Sequence, residues 1–186
     1  MNNKQIAKHA LNFIGGIPTV NCYNNDDQSK QIDIMCCKES KYSDTNIYAS
    51  IGLNEFDGGV ISENLSVRIE LIGVAPANSD YMGNVVASAA FEIIDNGSFA
   101  YGDVIQNVVS AYCPDTDLKH VVLVSPVYWN EYTPFVEGDI SVSWLMMIPV
   151  TTDEMQYIEN YGIDAFEKLM VEKQIDILDL HRPSVI

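Results

Sequence analysis

The stretch of residues 139–170 constrains the fold more than any other part of the chain. Over residues 140–148, apolar residues alternate first with serines and then with further apolar residues. A strand that enters a sheet at its rim and ends deep inside it shows this change from one-sided to two-sided hydrophobicity. Pro149 follows and has no N–H to donate, so we expect it to end the strand.

Two helices are predicted directly after this strand. Either Thr151 or Thr152 can cap the first helix, and two acidic residues follow in its first turn, where the helix dipole favours negative charge. Gly162 is expected to end this helix in a left-handed conformation, which glycine adopts readily. The second helix places Phe166 on an apolar face. A buried strand followed by two packed helices can form the centre of one core, to which the rest of the chain must add.

The remaining segments predict an α+β fold. Hydrophobic periodicity and turn residues indicate helices at residues 3–13 and 78–96, and strands at residues 18–23, 32–38, 46–53, 65–74 and 119–125. Consecutive strands joined by short turns usually pair as an antiparallel meander. Because strands and helices do not alternate strictly, we expect a mostly antiparallel or mixed sheet covered by helices, in a single domain of residues 1–186.

The charge balance excludes some classes of partner. The chain has 26 acidic and 10 basic residues, a net charge of −16. Residues 61–140 contain eleven acidic residues and two basic ones, so the excess is concentrated in the middle of the chain. Such a chain is not expected to bind nucleic acid or an anionic membrane surface, but it can attract a basic partner. Solubility alone would account for the same charge.

The sequence favours a cytoplasmic protein. It has no apolar run long enough to span a membrane, and its first eight residues are too polar for a signal peptide. The four cysteines form no C-x-x-C pair, so we expect buried free thiols, with neither a disulfide nor a zinc site.

No recognisable catalytic motif is present in the sequence. His9, His120 and His181 lie in separate segments, and none belongs to a metal-ligand or nucleophile motif. The members of a catalytic triad need not be neighbours in sequence, so an enzyme stays the third alternative. We expect no catalytic residue, no metal site and no cofactor.

Acidic and aromatic residues interleave between residues 95 and 139, where Lys119 is the single basic residue. Aromatic side chains often anchor protein–protein interfaces, and carboxylates steer a basic partner towards them. The alternative is that the aromatic residues belong to the core and the acidic residues to its solvated rim. The predicted partner-binding residues are Asp115, Asp117, Tyr128, Trp129, Glu131, Tyr132, Glu137 and Asp139.

Arg182 lies in a C-terminal tail whose apolar residues need burial. It is one of two arginines in the chain. Its planar guanidinium can pair with a carboxylate and so hold the tail on the domain. The alternative is that it binds an anion.

Six segments spread along the chain form a recognisable set: residues 4–10 (KQIAKHA), 117–120 (DLKH), 143–150 (SWLMMIPV), 152–154 (TDE), 161–162 (YG) and 179–185 (DLHRPSV). Together they resemble the suppressor-of-fused-like domain family. The N-terminal segment, with its Gly15-Gly16 pair, looks like the small bacterial members of that family. The resemblance covers nearly the whole chain, and it implies a binding function without catalytic residues or a cofactor.

The small bacterial members that this chain resembles are immunity proteins, or antitoxins, which neutralise secreted LXG-type toxins of Gram-positive bacteria. The resemblance therefore implies a protein that binds a cognate toxin inside the producing cell. The resemblance also implies that the toxin is a nuclease, and an acidic surface could occupy the basic groove in which a nuclease binds its substrate. The alternative function is a peptide-binding adaptor that uses strand addition. The sequence leaves the oligomeric state open.

Overall fold

A computed structural model describes residues 2–38, 40, 44–97, 100–126, 129 and 132–186. The helices are α1 (Asn3–Ile14), α2 (Met82–Asn96), α3 (Thr152–Tyr161) and α4 (Ile163–Lys173), and a short 3-10 helix covers Leu53–Glu55. The strands are β1 (Ile17–Asn24), β2 (Gln31–Lys38), β3 (Thr45–Ile51), β4 (Val60–Ser62), β5 (Leu65–Pro76), β6 (Val104–Ile105), β7 (His120–Val124), β8 (Phe135–Glu137) and β9 (Ile140–Val150). No described helix has both the length and the apolar character that crossing a membrane requires.

The strands form one mixed sheet in the order β1-β2-β3-β5-β9-β7-β6. Strand β4 pairs with β5, and β8 pairs with β9, beside this main order. All the pairings are antiparallel except that between β5 and β9. The predicted α+β class and mixed sheet are therefore confirmed, and the early strands pair consecutively as a meander does.

Strand β9 lies between β5 and β7, and its two faces belong to two different hydrophobic cores. Trp144 and Met146 point into the first core, which α1, α3 and α4 cover. Leu145 and Met147 point into the second core, which α2 covers. This burial on both faces explains why the sequence loses its polar alternation in the second half of the strand.

Pro149 does not end the strand as predicted. Strand β9 continues to Val150, and Pro149 pairs in register with Val121 of β7. The carbonyl oxygen of Pro149 accepts a hydrogen bond of 2.9 Å from Nη2 of Arg182. The pairing of β9 with β5 ends at Met146, so at Pro149 the strand has a described neighbour on one side only, which is where a strand tolerates a proline.

The start of α3 agrees with the sequence prediction. The Thr151 hydroxyl accepts a hydrogen bond from the Glu154 N–H, and a Glu154 carboxylate oxygen accepts one from the Thr151 N–H. This reciprocal pair is a capping box. Gly162 follows the helix with φ 84°, in the left-handed region expected there.

Candidate partner-binding surface

The predicted acidic residues lie at opposite ends of β9. Asp115 and Asp117 precede β7, whose first residue pairs with Val150 at the end of β9. Glu137 and Asp139 lie in the β8–β9 hairpin, at the start of β9. The eleven residues of the strand span ten intervals, or roughly 33 Å at about 3.3 Å per residue. The acidic candidates that the structure describes therefore do not form one continuous patch.

The two aromatic candidates that the structure describes, Trp129 and Tyr132, pack against the first core. Trp129 is 6% exposed, and its ring meets that of Phe13 edge-on at 5.8 Å. The hydroxyl of Tyr132, a half-buried residue, accepts a hydrogen bond of 2.8 Å from the Trp144 N–H. Trp129 is thus not an exposed anchor in this structure. Tyr128 and Glu131 lie outside the described residues.

The C-terminal tail packs against the end of β9 that lies near Asp117. Arg182 donates hydrogen bonds of 2.6 and 2.8 Å to the two carboxylate oxygens of Glu154. The two side chains are 3% and 0% exposed. The Val185 N–H donates to the same carboxylate at 2.9 Å. Arg182 therefore pairs with a buried carboxylate, as the first of the two sequence interpretations proposed.

The ionisation of Glu154 depends on this pairing. Burial opposes ionisation more than any other single effect. The Arg182 hydrogen bonds, the N–H groups of Thr151 and Val185 and the Arg182 charge together outweigh it and lower the pKa of Glu154. The carboxylate is thus held in its charged form by the tail, which makes the tail part of the domain and not a free segment.

His120 lies near the contacts of the tail, and both of its ring nitrogens are hydrogen-bonded within the fold. Its Nδ1 accepts a hydrogen bond of 3.0 Å from the Asn107 N–H, which leaves Nε2 to donate to the Thr152 hydroxyl at 3.1 Å. Burial, followed by the positive charge of Lys119, lowers the pKa of His120. A neutral histidine with both nitrogens engaged holds β7 and α3 together.

Glu70 is a buried carboxylate without a cation among the contacts that the structure describes. It accepts hydrogen bonds from the Ser50 hydroxyl, from the Gly52 N–H at 2.9 Å and from the Asn54 side chain at 2.6 Å. Burial raises its pKa in spite of these donors. The side chain is fully buried, so it ties β5 to the segment after β3 and cannot meet a substrate.

The other end of β9 has an apolar face that the sequence did not predict. Val60 of β4 pairs with Val67 of β5, Val67 pairs with Ser141 of β9, and Ser141 pairs with Val136 of β8. Residues paired in this way point to the same side of a sheet, so these four form one row, here called the valine row. Val60 and Val136 are 44% and 55% exposed.

A cavity of about 170 Å³ lies beside the valine row. Its buried walls come from the sheet, from the 3-10 helix and from the end of α2, including Leu53, Ile93 and Leu145. Exposed apolar side chains stand at its mouth, among them Phe56 at 44% and Tyr101 at 41%. A concave apolar site with an open mouth can bind one apolar group.

Metal chemistry has no support within the described part of the chain, because no group of three or more histidine, cysteine, aspartate or glutamate side chains could hold an ion there. The cysteines are free; Cys36 and Cys37 are buried and Cys22 is exposed. The prediction that the thiols are buried is therefore wrong for Cys22, which lies on the exposed strand β1, and Cys113 is only half-buried.

The family model "Suppressor of fused protein (SUFU)" matches residues 28–183 of this chain. The chain belongs to this family. The segments of the C-terminal tail and of β9 are among those that show the resemblance in the sequence. Immunity protein YqcF of Bacillus subtilis (strain 168) is 34% identical over 186 residues, covering 99% of this chain and 97% of the relative.

Solved structures share the fold. A putative SUFU homologue from Neisseria gonorrhoeae FA 1090 superposes with a TM-score of 0.75 at 15% identity, covering 99% of this chain and 96% of that one. A chain from the Sufu–Fu complex superposes with a TM-score of 0.66 at 12% identity, covering 98% and 91%. At these identities the likeness concerns the fold alone.

Proposed function

We propose that this chain is a single-domain immunity protein, an antitoxin that binds and neutralises a cognate secreted toxin in the cytoplasm of the producing cell. The observation that carries this proposal is the 34% identity to an immunity protein over 99% of the chain. Both proteins are matched nearly from end to end. The proposed activity is binding, without catalysis and without a cofactor.

The charge of the chain supports a basic toxin, and a nuclease is the proposed kind. A protein with a net charge of −16 attracts a basic partner over distances up to about 8–10 Å at physiological ionic strength. A nuclease must expose a basic groove to its phosphate-rich substrate, and that groove would meet an acidic inhibitor first. Neutralisation then follows from occupying the groove.

The test is binding to the toxin domain encoded beside the gene for this chain. We expect co-expression to restore the growth of cells that make the toxin, and the purified pair to associate more slowly as salt is added. A matched control is the immunity protein of an unrelated toxin with similar net charge, which should not rescue growth. Absence of both rescue and binding would refute the proposed function.

A peptide-binding adaptor is the second candidate, and strand β1 is the observation that favours it. Strand β1 is at the edge of the sheet, and seven of its eight residues are exposed. Ile17 and Val20 are 59% and 53% exposed. An exposed edge can accept an extended peptide as an additional strand. Val20→Pro, which removes a backbone N–H from β1, would abolish adaptor binding but leave toxin binding intact.

A further inference from the structure

We propose that the cavity beside the valine row holds one large apolar side chain of the toxin, presented on a segment whose neighbouring residues are basic. This inference rests on the proposed function and names the surface through which it acts. The valine row lies at the start of β5 and β9, the cavity lies beside it, and carboxylates lie next to Tyr101 and Ala100 of the cavity wall.

The size of the cavity fits a single side chain. An engineered protein cavity of about 150 Å³ with apolar walls binds one benzene molecule. The cavity described above has about 170 Å³, and its walls include buried leucine and isoleucine side chains. A phenylalanine, leucine or methionine side chain therefore fits, whereas a folded loop does not. Anchors of this kind contribute most of the binding energy in many protein interfaces.

The apolar surface continues beyond the mouth. Val60 and Val136 lie at the two outer strands of the valine row, on either side of β5 and β9. Helix α2 ends at Asn96 and packs on β2, β3 and β5. Of the exposed large apolar residues in the described chain, Phe56, Val60, Tyr101 and Val136 gather at this end of the sheet. A contiguous apolar patch around a cavity marks an interaction site more specifically than scattered exposed residues do.

Carboxylates lie beside two residues of the cavity wall. The Tyr101 hydroxyl donates a hydrogen bond of 3.4 Å to Asp164, and Asp103 accepts one of 2.8 Å from the Ala100 N–H. Partial burial, followed by the carboxylates of Glu167 and Asp164, raises the pKa of Tyr101 to about 12. These neighbouring carboxylates favour a lysine or arginine of the partner.

The single basic residue among the described cavity walls is Arg68, which is paired through one guanidinium nitrogen, while its buried Nε and Nη1 have no described hydrogen-bond partner. Arg68 binds Asp57 through Nη2 at 2.9 Å, and Asp57 also accepts a hydrogen bond of 2.8 Å from the Gly59 N–H. These contacts fix the turn that carries Phe56 at the mouth. The carboxylates near the cavity lie outside its wall, beside Tyr101 and Ala100.

The charge also decides between the toxin and a second copy of this chain. Two copies would each bring a net charge of −16, and the carboxylates beside their cavities would repel one another when the two patches met. A basic segment with an apolar side chain instead satisfies both the cavity and the carboxylates beside it. The occupant is thus a different, basic protein.

Two variants of the full chain test the surface against the toxin domain. Val60→Glu places a charge at the mouth, and Val20→Glu places the same charge on an equally exposed strand valine outside the cavity. Ser143→Leu fills the cavity from its wall. We expect Val60→Glu and Ser143→Leu to weaken toxin binding by about tenfold or more, mainly through faster dissociation, and Val20→Glu to change it by less than about twofold. Circular dichroism checks that each variant is folded.

A peptide titration tests the cavity independently of the toxin. The probe is acetyl-Lys-Phe-Lys-amide, followed by the backbone amide signals of the chain in nuclear magnetic resonance spectra. We expect saturable shifts at Val67, Ile69 and Ser143, which should be lost in Val60→Glu. The control peptides have alanine in place of phenylalanine, or glutamate in place of lysine, and should bind much more weakly.

The outcomes separate the two proposals. If the wild type binds the toxin and Val60→Glu and Ser143→Leu bind it equally well, the cavity is not the anchor site and this inference is overturned, while the proposed function stands. If the wild type does not bind the toxin, the proposed function fails, and the peptide titration decides the chemistry of the cavity. Equal shifts from the phenylalanine peptide and both control peptides would overturn the proposal that the cavity binds an apolar side chain flanked by basic residues.

Discussion

Replacing Arg182 by methionine should destabilise the domain strongly. The substitution keeps most of the side-chain volume but removes the cation from Glu154, whose side chain is 0% exposed. Breaking a buried ion pair by removing one partner costs about 3–5 kcal/mol, since the remaining charge stays buried without compensation. With a urea dependence of about 2 kcal/mol per molar, the midpoint of urea unfolding should fall by about 1.5–2.5 M.

The same loss should appear in thermal unfolding. For a chain of 186 residues, each kcal/mol changes the melting temperature by about 2–4 °C, so the expected decrease is about 6–20 °C. Arg182→Lys keeps the charge but loses the planar fork that binds both carboxylate oxygens, so it should give an intermediate decrease. Lys168→Met, on an exposed position of α4, is the matched control and should change stability by less than about 0.5 kcal/mol.

The pH dependence tests the reasoning most directly. In the wild type the pKa of Glu154 is lowered on folding, so its stabilisation is present above about pH 4.5 and is lost as the pH falls through the lowered value. In Arg182→Met, burial is no longer outweighed, so the pKa should rise on folding. The free energy of unfolding of the variant should then increase as the pH falls from 7 to 5, whereas that of the wild type should not. A variant as stable as the wild type, with the same pH dependence, would refute the account of the tail.

Three further predictions concern stability. Because burial raises the pKa of Glu70, ionisation of this carboxyl should destabilise the fold as the pH rises above about 4.5. In urea unfolding, Glu70→Gln should therefore lose less stability than the wild type as the pH rises from 5 to 7. Trp129→Ala should cost about 3–5 kcal/mol in urea unfolding, whereas an unchanged midpoint would contradict its place in the core. Chelator and reductant should leave the melting temperature unchanged, since the structure has free cysteines and no described metal cluster; a large decrease with either would contradict this.

Much of the fold could be predicted because local signals and burial agree. The Thr151 cap, the Gly162 break and the alternation in β9 each express a short-range requirement of the backbone. Pro149 misled the prediction because its missing N–H suggested an end to the strand, while its carbonyl was still able to bind Arg182. The parallel pairing of β5 with β9 could not be predicted, since nothing local relates Ser66 to Ile140.

The candidate surface was harder to predict than the fold. Proximity in sequence grouped Asp117 with Glu137, but β7 and β9 place them at opposite ends of one strand. The valine row was missed because β4 and β8 have three residues each, too few for a periodic pattern to be recognised. Its residues come from four strands, and only the register brings them together.

The parallel pairing in the middle of the sheet has a consequence for the synthesis of the protein. Strand β5 leaves the ribosome roughly 70 residues before its neighbour β9, an interval of about 4–15 s at about 5–20 residues per second. During that time β5 can pair with β3 and β4, while the backbone groups of its other edge, which later pair with β9, have no partner strand. An unpaired edge of this kind can pair with a strand of another chain, so we expect the nascent protein to be most prone to aggregation in this interval.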